Sequence, residues 1–507
     1  MPDEIKNIQT ESTVTSQTSS YRSIFKSTSL FGGVQVYIII ISIIKSKFVA
    51  ILLGPAGVGL QGLFTSATQL IQGISSFGLS QSAIRNVSEA HASGNFFKVS
   101  TVVTVLRRLV WLTGLLGTVL VLVFSPRLSQ TTFGSNDYVI PLMFLSITLL
   151  IDQICAGQRV VLQGTRRLKD LAKASAYGAT VSLFVTVPIY YFWGIKGIVP
   201  TLILNSSLAL LFSWYFSRRI SIQRVKMNYK AVFHEGKGLM QMGVAMSISG
   251  ILVYLSSYVL RSYIRMEGGV ESVGLFTAGF TLMNTYAGLV FNAMSTDYYP
   301  RLASVNKDNI KCREIMNQQA EVGLLILAPL MAACIIFVPV VVKLLYSTRF
   351  IGANTYIIWC ALGMLFKLAS WSVAFVFVAK GESKLFIINE VISGVYTLAF
   401  NLLGYHIAGL TGLGISFLVG YLIYTIQVYF VSRFKYDFSF SKDFLHIFLI
   451  HFFFVAACLC LVILSHSTIF KYFVGVLIVV LSFWYSLREL DKRMDLTKII
   501  FNKIVKK

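Results

Sequence analysis

Eight lysines and arginines stand inside or at the edges of long apolar runs: Lys45, Lys47, Arg107, Arg108, Arg159, Arg261, Lys343 and Lys367. A charge at mid-bilayer costs about 2.5–3.5 kcal/mol on insertion scales, so such a residue is expected to face protein or a wet cavity. Arg107, Arg108 and Lys343 lie close enough to the ends of their runs to reach the headgroup layer, and interfacial anchoring is expected of them. Lys45 and Lys47 stand roughly 10–14 Å before Gly54 along a helix, too deep for that. Being two residues apart, they point about 200° away from each other, so one cavity can take only one of them. Lys367, near the middle of its run, is the most isolated cation. A path lined by cations and few carboxylates attracts anions carrying phosphate or carboxylate.

The acids in or near the same runs are Asp152, Asp297 and Glu390. A carboxylate there either neutralises a nearby cation or takes part in proton or sodium coupling. Asp152 and Arg159, seven residues apart, share a helical face about two turns apart.

Other chemistries find no machinery. The six cysteines lie mostly in apolar runs without metal-ligand or disulfide spacing and are read as packing residues. The six histidines form no His-Glu-x-x-His pattern and have no catalytic partner spacing. Gly57-Val58-Gly59-Leu60-Gln61-Gly62 matches the dinucleotide fingerprint, but that motif works only between a strand and a helix. Here it joins two apolar runs and is read as a tight outer turn followed by close helix packing. No glycine loop ends in Gly-Lys-Ser/Thr, so no nucleotide-hydrolysing loop is expected. The sequence predicts no catalysis, no metal and no resident cofactor.

The elements that must hold these charges are membrane spans. The chain has 507 residues, of which 55% are hydrophobic and 13% charged, with a mean hydropathy of +0.72. Charged residues normally approach a quarter, so the solvent for most of this chain is lipid. Crossing roughly 30 Å of hydrocarbon takes about 20 helical residues. Runs of that kind begin near Ser29, Val58, Thr101, Tyr138, Ala174, Ile198, Gly238, Ser272, Ala320, Tyr356, Leu385, Leu410, Phe444 and Tyr472. They predict an all-α polytopic membrane protein of about fourteen transmembrane helices. The first twenty residues are polar, so no cleavable signal peptide is expected there.

Basic residues fix a direction. The segments that fall on the side of the N-terminus include Arg166, Arg167, Lys169 and Lys173, then Arg218, Arg219, Lys226 and Lys230, and a basic cluster from Arg488 to Lys507. The opposite loops hold about five bases, Arg127, Lys196, Arg265, Arg349 and Lys471. Both termini are therefore expected in the cytoplasm. This bias accounts for most of the formal net charge of +23 without a nucleic-acid partner.

One stretch echoes another. A basic residue followed by serine (Lys45-Ser46, Arg261-Ser262) precedes a glycine-containing turn and then Val-Gly-Leu (Val58–Leu60, Val273–Leu275). Six spans separate the copies, so they run in the same direction, as in transporters built from two lobes related by an axis along the membrane normal. The expected division is a polar tail (1–27), an N-lobe of six spans (28–225), a C-lobe of six (226–437), and two extra spans with a basic tail (438–507). The second copy keeps only the first base, which favours Lys45 over Lys47 as the cavity residue.

Four patches carry a resemblance: LLGPAGVGLQGLF (Leu52–Phe64), the exit of the second span with Arg85, QGTRRLKDLAKA (Gln163–Ala174), and the stretch from Leu344 to Val391 that contains Lys367 and Ala379-Lys380. In these the chain resembles the Wzx-type flippases of O-antigen and enterobacterial common antigen, in a superfamily shared with MATE drug exporters and the peptidoglycan lipid flippase. The resemblance implies a two-lobe fold, alternating access and a bacterial cytoplasmic (inner) membrane location. The implied substrate is undecaprenyl-pyrophosphate carrying an oligosaccharide repeat, with surrounding membrane lipids, a polysaccharide polymerase and chain-length machinery as further partners. Lys45, Arg85, Arg261 and Lys367 are then expected to bind the anionic head group. Asp152, Arg159, Asp297 and Glu390 are expected in coupling to H+, Na+ or membrane potential, or in charge pairing. The competing expectation is a cation-coupled exporter of small amphipathic compounds, for which Asp152 and Asp297 would be the functional groups. The basic excess argues against it.

Overall fold

The computed structural model describes residues 33–493, apart from positions 224 and 466 and the side chains at 229, 245, 285–287, 289, 293 and 296. The expected N-terminal tail (1–27) and the basic cluster beyond Arg493 lie outside the described residues. Within them the protein is all-helical, with no strand, as a chain in lipid must be when every backbone amide has to be satisfied inside its own segment. The helices are α1 (Gly33–Ser75), α2 (Leu79–Ala92), α3 (Phe96–Phe133), α4 (Val139–Leu145), α5 (Ile147–Gly164), α6 (Leu168–Trp193), α7 (Ile198–Ser217) and α8 (Tyr229–Thr281). They continue with α9 (Ala287–Ser304), α10 (Asn309–Leu345), α11 (Asn354–Ala379), α12 (Ser383–Tyr436), α13 (Lys442–Leu464) and α14 (Thr468–Arg493).

Among the described residues, nine helical runs are long and apolar enough to cross a membrane, and a tenth, bent by 54°, is formed by Lys230–Val244 with Met246–Asn284. The protein is a multi-pass membrane protein. Three of the nine runs have 43, 50 and 54 residues, Gly33–Ser75, Leu168–Ser217 and Ser383–Tyr436, about twice the length one crossing needs. Each is interrupted near its middle. Gly54 (φ 64°) breaks α1, a short turn with Gly194 (φ 51°) separates α6 from α7, and Gly409 (φ 56°) breaks α12. Gly269 (φ 76°) breaks α8 in the same way. Such backbone angles are open to glycine at little cost and to other residues only under strain.

The chain forms two compact units. The first comprises residues up to Leu53 and Phe64–Tyr254. Its core is aliphatic, with Leu79, Val87, Val103, Leu106, Leu109, Val161, Val232 and Leu239 packed together. The second comprises Gly54–Leu63 and Leu255 onward, and its core is rich in rings, including Tyr298, Phe377, Tyr436 and Phe438. The unit boundary thus falls inside α8, and the helical stretch of α1 from Gly54 to Leu63 belongs to the second unit.

Within the second unit the two copies of the sequence echo meet. A Cβ on Gly59 would stand 2.0 Å from the Val270 carbonyl oxygen, and a Cβ on Gly274 would stand 1.9 Å from that of Pro55. One register relates Pro55 to Val270, Gly59 to Gly274 and the break glycine Gly54 to Gly269, so the contact is reciprocal. Within the first unit a comparable approach joins the end of α1 to α8. A Cβ on Gly243 would lie 2.2 Å from the Phe77 carbonyl oxygen, and one on Gly78 would lie 2.1 Å from that of Gly243. Small residues let helix backbones touch in this way where lipid supplies no hydrophobic drive for association.

The last hairpin, α13–α14, is fixed to α10 by polar contacts. Asn317 Nδ2 donates to the Ser439 carbonyl (3.0 Å), and its Oδ1 accepts from the Ser441 amide (2.8 Å). One turn on, Glu321 accepts from Ser441 Oγ (2.7 Å) and Arg493 Nε (3.3 Å), and Arg493 also pairs with Glu489. Between the two helices, His451 is fully buried with one ring nitrogen on Ser482 (3.2 Å) and the other on Ser486 (3.1 Å). All six cysteines are free.

Candidate functional site

Lys45 lies on α1, nine residues before the Gly54 break, and is held inside the first unit. Its Nζ donates to Ser182 Oγ on α6 (2.6 Å), and that hydroxyl donates to Asn205 Oδ1 on α7 (2.7 Å). Thr186, one turn beyond Ser182, is 3.4 Å from the same amide. The ammonium thus heads a relay of neutral polar groups with no carboxylate in it. That environment leaves its positive charge uncancelled.

Arg261 lies on α8, eight residues before the Gly269 break, much as Lys45 lies nine before Gly54. It is 9% exposed. Its guanidinium lies 5.5 Å from the ring centres of both Phe276 and Phe280 on the second half of α8, and Nη1 bonds the Ser257 hydroxyl and carbonyl oxygens. Planar guanidinium faces suit such stacking, and ring quadrupoles stabilise the charge without neutralising it. The Nε is buried without a hydrogen-bond partner, as is Thr277 Oγ1. Gly62 is the residue that leaves both atoms room, since a Cβ there would stand 2.9 Å from Thr277 Oγ1 and 3.7 Å from Arg261 Nε.

Lys367 on α11 shares this layer. Its Nζ donates to Asn284 Oδ1 (3.0 Å) and lies 5.3–5.7 Å from the ring centres of Phe291, Phe417 and Tyr421. Asn284 in turn donates to the Phe280 carbonyl (3.2 Å), so Arg261 and Lys367 are linked through one stripe that runs from α8 into the π-helical turn after it, residues 276, 280 and 284. Within the second unit the structure therefore brings two of the expected anion-binding cations onto one aromatic track. Lys45 and Arg85 belong to the other unit.

Arg85 is on α2 and is solvent-accessible. It pairs with Glu89 one turn on (2.7 Å), with both side chains more than half exposed. Asp297 is also exposed and pairs with Arg301 on α9 (3.3 Å). Asp152 on α5 hydrogen-bonds Ser206 of α7 and lies within electrostatic range of Arg159, which itself bonds Cys155. Glu390 accepts a hydrogen bond from the Tyr424 hydroxyl (3.0 Å), across the break that folds α12 back on itself. Of the three expected acids, Asp297 has a cation as direct partner, Asp152 a serine and Glu390 a tyrosine.

Sequence reasoning missed Glu321, a carboxylate one residue inside the apolar run that starts at Ala320. It missed also that Arg301, Arg313, Glu314, Gln318, Asp297 and Arg493 converge with it on a cavity of about 980 Å³. The relay residues Ser182 and Asn205 and the rings around Lys367 left no signal, because polar and aromatic residues are scattered through all the spans.

The fold is that of membrane transporters of the MOP superfamily. A multidrug resistance MATE family transporter in an inward-facing conformation superposes with a TM-score of 0.67 at 14% identity, covering 79% of this chain and 94% of that one. The lipid II flippase MurJ in an inward closed conformation gives 0.66 at 14% identity, covering 92% and 99%. A MOP superfamily transporter from Pyrococcus furiosus, described as having a binding pocket of reverse polarity, gives 0.54 at 16%, covering 81% and 94%. No curated protein sequence matches the chain. The family model for polysaccharide biosynthesis proteins matches residues 48–355, more than half of the chain, and the protein belongs to that family.

Proposed function

We propose that the protein is a flippase that moves undecaprenyl-pyrophosphate-linked oligosaccharide repeats, of O-antigen or a related surface polysaccharide, from the cytoplasmic to the periplasmic leaflet of the bacterial inner membrane. The observation that carries this reading is the set of uncancelled cations at mid-span in a member of a polysaccharide biosynthesis family. Lys45 and Lys367 each spend one of three N–H donors on a neutral side chain, on Ser182 and Asn284, and a diphosphate can take the others. Arg261 adds a third cation at the matching place of the repeated segment, and Arg85 a fourth on α2. Lipid II flippase among the fold neighbours supports a lipid-linked cargo. A long prenyl chain needs no binding site of its own, since it remains in lipid while the head group crosses.

On this reading the four double-length runs, each broken at or near a glycine, give two crossings apiece and the chain spans the membrane fourteen times with both ends in the cytoplasm. Twelve spans form the transport core, and α13–α14 are appended. The glycine contacts Gly59/Gly274 and Gly78/Gly243 are then the places where backbones part and re-form as access alternates. Asp152, Arg159, Asp297 and Glu390 tune or pair charge along the route. In the cell the delivered repeats pass to a polymerase and its chain-length partner.

The test is flux of a purified lipid-linked repeat in proteoliposomes, with proton, sodium and electrical gradients imposed separately to identify the coupling. Lys45→Ala and Arg261→Ala are expected to strand repeats on the inner leaflet. Intact surface polysaccharide in a strain that lacks the protein and any related flippase would reject the proposal. Drug sensitivity of that strain with intact polysaccharide would instead assign the chain to amphipathic-compound export.

A further inference from the structure

A second surface gathers cations without gathering acids, at the end of the first unit where α5, α6 and α7 meet. Leu162, Leu171, Ala174 and Phe216 pack together there and bring the α5–α6 turn next to the end of α7. That turn carries Arg166 and Arg167, Lys169 and Lys173 follow on α6, and Arg218 and Arg219 follow α7, all six exposed. The nearest acid, Asp170, is taken by Arg167 (3.6 Å).

Two features separate this corner from charge that merely sets topology. The first is that its arginines are held by rings. The Arg219 guanidinium lies over Tyr215 (4.6 Å) and Phe216 (5.1 Å) and donates to the Tyr215 hydroxyl (2.6 Å), while Arg218 lies over Trp214 (5.0 Å). On the other side Phe216 stacks with Tyr177, which is one helical turn from Lys173. Trp214, Tyr215 and Tyr177 are about half exposed, as amphipathic rings are at the headgroup level. The second feature is Arg166 itself, which adopts φ 57° at the position that closes α5. The Arg167 amide reaches back to the Leu162 carbonyl (2.9 Å), the closing bond of a helix terminus whose left-handed residue is ordinarily glycine. An arginine in that strained place points to a use for its charge.

We propose that this corner is a binding surface for the phosphate headgroup of an anionic phospholipid. Lys173 and Arg219, on the two helices that the Tyr177–Phe216 stack joins, clamp the phosphate, Arg218 and Arg166 flank it, and the exposed rings lie along its upper acyl chains. Rigid, stacked guanidinium groups lose little freedom on meeting a phosphate, which distinguishes them from mobile surface lysines.

The full-length protein can be taken from nanodiscs of equal parts phosphatidylglycerol and phosphatidylcholine and its retained lipids read by native mass spectrometry. Phosphatidylglycerol is expected to be retained preferentially, and Lys173→Ala or Arg219→Ala to lower that preference about fivefold each, the effect of one base near a membrane surface. Lys98→Ala removes an exposed base of the same unit that has no stacked ring, and is expected to change nothing. Arg219→Lys keeps the charge without the planar stack and is expected to lose about half of the preference in logarithmic terms. An equal loss in Lys98→Ala, or an unaltered preference in Arg219→Lys, would overturn the built site in favour of diffuse surface charge. If added undecaprenyl diphosphate is retained in place of phosphatidylglycerol, the phospholipid assignment fails and the surface belongs to a polyprenyl lipid.

Discussion

The two copies of the echoed segment share a backbone and differ in how they hold their cation. Gly54 and Gly269 break their helices with nearly the same angles, and Gly59 and Gly274 each press on the partner copy's chain at about the same distance. Yet Lys45 donates to a serine–asparagine relay on two other helices, whereas Arg261 is packed between rings of its own helix. Backbone geometry at a helix crossing tolerates almost no side chain, so it stays symmetric. The cation's surroundings are set by helices outside the repeat and are free to differ.

The largest expected effect tests the shared part. Gly59→Val and Gly274→Val each place atoms where a backbone carbonyl already stands, and a backbone cannot rotate away as a side chain can. Each is expected to cost about 3 kcal/mol, the upper part of the usual range for overpacking. Thermal unfolding of the purified protein reads this directly. A severe loss for one glycine and none for the other would break the equivalence of the copies.

The next effects test the part that differs. Ser182→Ala removes the hydrogen-bond partner of the Lys45 ammonium and is expected to cost about 2 kcal/mol, as for bonds to charged groups. Ser257→Ala leaves Arg261 its backbone carbonyl and both ring faces, and about 1 kcal/mol is expected. Equal melting shifts for the two would show that the rings add nothing to the hold on Arg261. Tyr421→Leu removes the ring nearest Lys367 and is expected to cost about 0.5–1 kcal/mol, with a weakened flux if this lysine meets the cargo.

Much of this architecture is legible in the sequence. Apolar length gave spans, and the paired glycine turns gave the repeat, because a helix break with positive φ leaves a mark in residue type. What could not be read was facing and pairing across long separations. Glu390 meets Tyr424 only because α12 folds back at Gly409, and Arg493 meets Glu321 only because the last hairpin docks on α10. Spacing along one helix carries neither fact. Arg261 illustrates the same limit, since its place one helical stretch before a glycine is readable in the sequence while the two phenylalanines that enclose it lie beyond the break.

Arg85 supplies the smallest expected effect and the sharpest contrast with Lys45 and Arg261. Its ion pair with Glu89 is exposed on both sides, and exposed helical pairs contribute about 0.3–0.5 kcal/mol because water screens them and two long side chains must be ordered. Arg85→Ala is therefore expected to leave the melting temperature within about a degree or two, in proportion to so small a free energy. Any fall in flux for this variant can then be attributed to lost contact with the cargo. Lys45 and Arg261 cannot offer so clean a separation, because each is part of the packing that holds its unit together. A melting shift in Arg85→Ala as large as that in Ser182→Ala would mean that α2 is held by this arginine, and its place among the head-group cations would fall.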